Sequence, residues 1–211
     1  MLRCRPTTER ERRLLDDGVW PVAGVDEAGR GALAGPVVAG AVVAEWCTRQ
    51  PWHDEVRDSK QLSAPQRERL FERITAESTA VAAGIVSSNI IDRIGIAAAT
   101  RRAMLEALQS LAVQPGYVLI DWLTLPRLRL RQEGIPKGDA LCLSIACASI
   151  VAKVTRDRLM DELDARYPGY GFGAHKGYGT EEHLHRLATQ GASPVHRVSF
   201  RPVRLVVGGL L

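Results

Sequence analysis

The strongest constraint on how this chain folds is the run from Val22 to Ala44. Two apolar stretches, Val22-Ala23-Gly24-Val25 and Pro36 to Ala44 (PVVAGAVVA), bracket the segment Asp26-Glu27-Ala28-Gly29-Arg30-Gly31. Short continuous apolar runs of this kind read as buried strands. Two adjacent acids therefore follow directly on a buried strand, and a glycine-flanked arginine follows them. Neighbouring side chains of a regular strand point to opposite faces. If both carboxylates serve one site, the expectation is a backbone kink, with Gly29 and Gly31 supplying the freedom. Such glycines also let main-chain N–H groups approach a phosphate. A charged turn after a strand would be written in the same residues, so this segment alone leaves two readings open.

A third reading is weaker. Gly29-Arg30-Gly31-Ala32-Leu33-Ala34 has the spacing of a dinucleotide-binding fingerprint. That fingerprint needs a helix N-terminus to receive pyrophosphate, whereas Pro36 and the β-branched residues after it make a strand. The two acids would also repel the pyrophosphate. No Walker A motif and no Gly-x-Ser-x-Gly elbow occurs.

Further elements alternate along the chain. Ser63-Ala64-Pro65-Gln66 has capping-box spacing, and Leu70, Phe71 and Ile74 supply the apolar face of the helix that follows. Val81 to Val86 reads as a third strand. Ile96, Thr100, Met104, Leu108 and Leu111 recur at helical spacing until Pro115-Gly116. Tyr117-Val118-Leu119-Ile120 is a buried strand stopping at Asp121. A long helix is expected from about Leu143 to Arg166, and another from Thr180-Glu181-Glu182 to Gly191. Interleaved strands and helices predict an α/β sheet with helices on its faces. The 211 residues, 45% hydrophobic and 25% charged, are enough for one large domain with a real core. No repeat or linker divides them, apart from a charged lead-in over residues 1–18.

Asp121 at a strand's carboxyl end stands where open α/β sheets place their ligands, although acids also end strands for no further reason. Asp157 taken alone fits a surface pair with Lys153 at helical spacing. The small residues Ser144 to Ser149 let that helix press on the sheet and carry Asp157 towards the strand ends. Four converged carboxylates (Asp26, Glu27, Asp121 and Asp157) would repel by about 4 kcal/mol per pair at ~4 Å and an effective dielectric of about 20. They call for cations, and hard oxygen ligands suit Mg²⁺ or Mn²⁺. Two such ions can activate water and stabilise the leaving oxygen of a phosphodiester. A net charge of +4 permits a polyanionic partner. The predicted class is therefore a metal-dependent phosphodiesterase acting on nucleic acid.

The loop Phe172-Gly173-Ala174-His175-Lys176-Gly177-Tyr178-Gly179-Thr180 mixes basic, aromatic and glycine residues, suiting a phosphate with a sugar or base. An ordinary Gly-rich turn with Tyr178 tucked on the core fits equally well. His183 and His185, two residues apart on a helix, face different ways and read as surface histidines. Asp58-Ser59-Lys60 reads as a loop from which Lys60 can reach a phosphate. Arg127-Leu128-Arg129-Leu130-Arg131 reads as an exposed strand or extended loop with a solvated face. Cys4, Cys47, Cys142 and Cys147 form no Cys-x-x-Cys pair, which argues for reduced, mostly buried thiols over a zinc site or disulfide framework. Nothing approaches the roughly 20 apolar residues of a membrane span. Arg3, Arg5, Arg10, Arg12 and Arg13 are not followed by the apolar run of a signal peptide, and Glu9, Glu11, Asp16 and Asp17 argue against a transit peptide. The expected compartment is the cytoplasm.

Taken in order, GVDEAGRGALAGPVVAGAVV, DSKQLS, VLID, KGDALCLSIACASIVAKVTRDRLM, YPGYGFGAHKGYGTEEH and HRVSF resemble the type 2 ribonucleases H, bacterial ribonuclease HII in particular. The likeness runs from about residue 22 to 203. It implies a ribonuclease H-like fold, a mixed five-stranded sheet flanked by helices with a helical C-terminal part, making residues 19–211 the catalytic domain. It implies a divalent-metal endonuclease, using Mg²⁺ or Mn²⁺, that hydrolyses RNA in RNA–DNA hybrids. It also implies cutting 5′ of single ribonucleotides embedded in duplex DNA, leaving 3′-hydroxyl and 5′-phosphate ends. By position, Asp26, Glu27, Asp121 and Asp157 match the family's metal-site carboxylates. Gly29, Arg30 and Gly31 match its ribonucleotide-contacting motif, and Tyr178 the tyrosine that helps that motif sense the junction with DNA. A monomer is implied, and no clamp-binding peptide is evident at the C-terminus. Trp122, Leu141, Cys147 and Arg201 depart from the family's usual small residue, lysine, alanine and glycine.

Overall fold

The computed structural model describes residues 5–209, so Arg3 and Cys4 lie outside the described residues. In chain order the elements are α1 (Glu9–Asp16), β1 (Val22–Ala28), β2 (Val37–Val43), α2 (Ala64–Glu77), β3 (Ala80–Val86), α3 (Ser88–Ile94), α4 (Ile96–Gln109), β4 (Tyr117–Asp121) and β5 (Arg131–Ile135). Five further helices follow: α5 (Gly138–Leu141), α6 (Leu143–Arg166), α7 (Phe172–His175), α8 (Glu181–Gln190) and α9 (Arg201–Val207). Short 3₁₀ turns at Pro51–Glu55 and Ser59–Gln61 bridge β2 to α2.

The sheet is mixed, five strands in the order β3-β2-β1-β4-β5. The hairpin partners β1–β2 and β2–β3 run antiparallel, while β1–β4 and β4–β5 run parallel. The central strands β1 and β2 are apolar and buried along almost their whole length, as strands covered on both faces must be. Helix α6 covers one face, with Val22, Val42, Leu119, Ile145 and Ile150 in its core; α4 covers the other, with Val25, Ala39, Met104 and Ile120. The capping box expected at Ser63 is formed, Ser63 N–H donating to Gln66 Oε1 at 2.9 Å.

The small residues of α6 do what their size suggests. A Cβ at Gly24 would lie 2.1 Å from the Ser144 carbonyl carbon, and one at Gly40 would lie 2.3 Å from the Ala148 carbonyl oxygen. Helix and sheet therefore touch backbone to backbone along β1 and β2, and α6 has no room to withdraw by a side chain's width. The lead-in also joins this contact. Glu11 of α1 is fully buried and accepts the Ser144 N–H at 2.9 Å, so it satisfies a donor at the start of α6.

Three expectations need correction. Strand β1 extends through Asp26 and Glu27 to Ala28 with unbroken pairing to β2, so no kink occurs at the acids; the turn comes after Ala28, at Gly29 with φ +85°. The segment from Arg131 belongs to an edge strand that runs on to Ile135. Its residues RQEGI are mostly half-buried, so no apolar run marked it. His183 is fully buried rather than on the surface. Of the described cysteines Cys142 and Cys147 are buried, whereas Cys47 is exposed.

Candidate active site

The parallel pairing of β1 with β4 sets Val25 beside Ile120, so the strands deliver Asp26 and Asp121 together at their carboxyl ends. Asp26 pairs across the sheet with Gly40, on the face that α6 covers, and Glu27 with Ala39 on the other face. The two adjacent acids therefore straddle the end of β1. Asp26 is 4% exposed. Its Oδ1 accepts the Glu27 N–H at 2.7 Å. Burial raises its pKa well above the usual carboxylate range, reinforced by the charges of Glu27 and Asp121 and opposed by a hydrogen bond from Ser149. Burial likewise raises Glu27, against a bond from Trp122, with Asp121 adding repulsion. Asp121 is raised by burial despite its Oδ1 accepting the Gly138 N–H at 2.7 Å.

Among the described residues, no Lys, Arg or His nitrogen lies within 4.0 Å of these three carboxylates. Farther off, Arg30 and Lys60 act on Glu27 through their charge, and Lys60 Nζ is 3.6 Å from Asp139 and 3.8 Å from Asp58. Burial works against its charge, but Asp58, Asp139, Asp26 and Asp121 together hold its pKa above the ordinary lysine value. Asp157, unlike the other three, is engaged by cations. Its Oδ1 accepts from Lys153 Nζ at 2.7 Å, and its Oδ2 lies 3.8 Å from Arg67. Among the described residues, no three His, Cys, Asp or Glu side chains form a ready-made cage around a metal ion. The donor set nonetheless suits a hard divalent cation. Three desolvated carboxylates with raised pKa values and no cationic partner are stabilised by one.

Beside the acids, Gly29 is required by the fold. A Cβ there would fall 1.8 Å from Arg156 Nε. At Gly31 a Cβ would meet nothing within 4 Å, so its small size leaves open surface next to Arg30. The Arg30 guanidinium lies 4.1 Å over the Trp122 ring, and Trp122 Nε1 points at Glu27 at 3.3 and 3.4 Å. Trp122, at φ +49°, thus joins an acid to a base across the β4 end. Tyr178 is 39% exposed and its ring lies 5.4 Å from the Arg156 guanidinium carbon. Arg156 is fully buried and donates to the carbonyls of Pro36, Ala34 and Lys176 at 2.9, 3.2 and 2.9 Å. It ties α6 to both site loops.

Sequence reasoning missed four contributors: Trp122, Asp139, Arg156 and the buried Ser59–Ser149 hydroxyl pair at 2.9 Å. Asp139 and Arg156 looked like ordinary helix charges, and only their burial beside Lys60 and the loop carbonyls reveals them. Trp122 carried a signal, because it departs from the family's small residue directly after a site acid.

The profile of the family Ribonuclease HII matches residues 23–203. A Ribonuclease HII from Dehalococcoides mccartyi is 50% identical over 205 residues, covering 97% of each chain. Among solved structures, ribonuclease H2 from Pyrococcus horikoshii OT3 superposes with a TM-score of 0.77 at 27% identity, over 90% of this chain and 99% of that one. Bst-RNase HIII in complex with Mn²⁺ shares the fold, with a TM-score of 0.63 at 18% identity over 91% of this chain and 70% of that one. With the sheet order, the strand-end acids and these likenesses in agreement, the chain belongs to the ribonuclease HII family of RNA-cleaving endonucleases.

Proposed function

We propose that the protein is a divalent-metal-dependent endoribonuclease that hydrolyses RNA in RNA–DNA hybrids. It also cuts 5′ of single ribonucleotides embedded in duplex DNA, leaving 3′-hydroxyl and 5′-phosphate ends. The observation that carries this reading is the desolvated trio Asp26, Glu27 and Asp121, raised in pKa and with no cationic nitrogen within 4.0 Å among the described residues, beside the open surface at Gly31. Asp26, Glu27, Asp121 and Asp157 would hold Mg²⁺ or Mn²⁺, the latter bound by the related fold of Bst-RNase HIII. When bound, two such ions activate water and stabilise charge on the leaving oxygen.

The chain's own groups supply recognition. Gly29, Arg30 and Gly31 present main chain and a guanidinium to the ribonucleotide, with Arg30 braced on Trp122. Tyr178 stands on the other side, over Arg156. A 2′-hydroxyl is the one group that separates RNA from DNA at a given nucleotide, so the pocket must read it at the sugar. Lys60 faces outward at the rim, where it can meet a phosphate. The protein acts as a cytoplasmic monomer in this reading. Among the described residues no helix is long and apolar enough to cross a membrane.

The deciding experiment is cleavage of an end-labelled DNA duplex carrying one ribonucleotide, with Mg²⁺, Mn²⁺ or EDTA and an all-DNA control. Metal-dependent cutting 5′ of the ribonucleotide is expected. A folded protein that binds the duplex without cutting it would instead be a hybrid-binding module. If Asp121→Asn kept the full rate, the metal role would be wrong. Binding should weaken steeply with salt through counterion release, and a flat response would remove Arg30 and Lys60 from the phosphate contacts.

A further inference from the structure

Behind the Tyr178 loop lie three histidines that the proposed chemistry does not use. His183 and His196 are buried, enclosed with His175 by Tyr170 and Phe172. The His183 and His196 rings meet Nε2 to Nε2 at 3.0 Å, and His175 stacks on His183 at 4.3 Å. Fixed backbone groups determine every ring proton. The Ser193 N–H donates to His196 Nδ1 at 2.9 Å, so that nitrogen carries a lone pair and the proton sits on Nε2. His196 Nε2–H must then donate to His183 Nε2. That leaves the His183 proton on Nδ1, which donates to the Tyr178 carbonyl at 2.9 Å. His175 is fixed in the same way. Its Nε2 donates to the Tyr170 carbonyl at 2.8 Å and its Nδ1 accepts the Gly177 N–H at 3.1 Å.

The far end of this chain is anchored to the other recognition loop. His196 bridges to Ala34, and Gly35 N–H donates to the Val195 carbonyl at 2.9 Å. Arg197, fully buried, donates to the carbonyls of Arg30 at 3.1 Å and Gly35 at 3.0 Å. The segment Ser193–Arg197 therefore holds the Arg30 loop with its backbone and with Arg197, and holds Tyr178 through two imidazoles.

We propose that His183 and His196 are positioning residues for ribonucleotide recognition: a neutral, directionally fixed chain of hydrogen bonds that sets Tyr178 at a defined distance from the Gly29-Arg30-Gly31 loop. The inference rests on the reading of Tyr178 as the sensor of the RNA–DNA junction. Tyr178 itself is 39% exposed, and its phenol makes no hydrogen bond among the described residues. Its placement comes from the main chain, where the carbonyl accepts from both Thr180 N–H at 2.8 Å and His183. Losing the imidazole donor releases one of these two anchors.

Two substitutions at one position separate the halves of the chain. In His183→Asn the amide nitrogen occupies the place of Nδ1, keeping the Tyr178 contact and losing His196. In His183→Gln the amide oxygen occupies the place of Nε2, keeping His196 and losing the Tyr178 carbonyl. The readout is the ratio of cleavage at a lone ribonucleotide to cleavage of a uniform RNA–DNA hybrid. Because the proposed chain needs both links, His183→Gln and His183→Asn should each lower that ratio by about tenfold, the loss expected for one positioning hydrogen bond. A ratio within about twofold of the unaltered protein's in either variant overturns the proposal. Tyr178→Ala is the control for the underlying reading. If it leaves the ratio unchanged, the junction role of Tyr178 fails; if it lowers the ratio and His183→Gln does not, the histidine inference alone fails. Ring ¹⁵N chemical shifts of the unaltered protein give a test that needs no variant. They should report Nδ1–H on His183 and Nε2–H on His196, and the opposite tautomers would overturn the chain.

Discussion

The acid trio at the β1 and β4 ends and the histidine cluster behind Tyr178 are both buried polar groups, but they are built to opposite rules. Asp26, Glu27 and Asp121 repel one another and have no cationic partner within 4.0 Å among the described residues. In the histidine cluster each proton has a partner and each lone pair a donor. Buried polar groups left unsatisfied are costly, whereas fully satisfied ones rigidify the fold around them. The first region is thus incomplete until a ligand arrives, and the second is complete without one. One region stores repulsion that a cation would relieve, and the other stores none.

The largest effect that would sharpen this contrast is on catalysis. Asp26→Asn should reduce cleavage on the order of 10³-fold, the rate equivalent of several kcal/mol of lost transition-state charge stabilisation. The same variant should melt at or above the unaltered protein in EDTA, since a buried carboxyl that must either hold its proton or repel its neighbours has gone, and should lose the stabilisation that added Mn²⁺ gives. A lower melting temperature in EDTA would break the comparison.

Next comes the pH dependence of stability, where the two regions have opposite signs. Burial and the neighbouring His183 lower His196 to about 4, below the 6.5 of an unfolded histidine. Above pH 6.5 the group is neutral in both states. As pH falls from 6.5 towards 4 only the unfolded chain takes up the proton, so stability falls, by about 3 kcal/mol in all. A raised carboxyl does the reverse. In metal-free protein, Asp26 holds its proton after the unfolded chain has lost its own, so its contribution declines as pH rises from the ordinary carboxylate range. Urea unfolding between pH 4.5 and 7 should show the histidine slope in the unaltered protein and a flatter one in His196→Phe. The same slope in both would remove His196 as its source.

The smallest expected effect concerns the cap that joins α8 to the loop. Thr180 Oγ1 accepts the His183 N–H at 3.2 Å, and Thr180→Ala should cost about 1 kcal/mol in chemical denaturation. Because the cap holds the backbone of His183, the variant should also lower lone-ribonucleotide cleavage more than hybrid cleavage. An equal loss on both substrates would confine the cap to stability.

What could be read in advance followed from apolar runs and small residues. β1, β2 and β4 are buried on both faces, and Ser144 to Ser149 permit the backbone contact that Gly24 and Gly40 complete. β5 was not legible, because an edge strand with exposed Arg131 and half-buried Glu133 has no apolar pattern. The position of Asp157 on α6 was legible, but its engagement by Lys153 and Arg67 depended on α2 packing beside α6. His183 was misread as a surface group because its spacing from His185 describes only the helix. The rings that pack against it, Phe172, His175 and His196, all come from outside its helix.

The parallel pairing of β1 with β4 also carries a consequence for when the enzyme can act. Glu27 and Trp122 lie 95 positions apart in sequence, and β2, α2, β3, α3 and α4 all lie between them in the chain. Contacts so distant in sequence form late and slowly. The acid site is then sealed by α6, whose Ser149 and Asp157 come later still. During synthesis the ribosome therefore releases an acid-bearing but unassembled strand first and the closing helix near the end. A chain interrupted before Leu143 would carry Asp26, Glu27 and Asp121 but lack the helix that covers one face of their sheet. The four acids are thus present together only once α6 has been made.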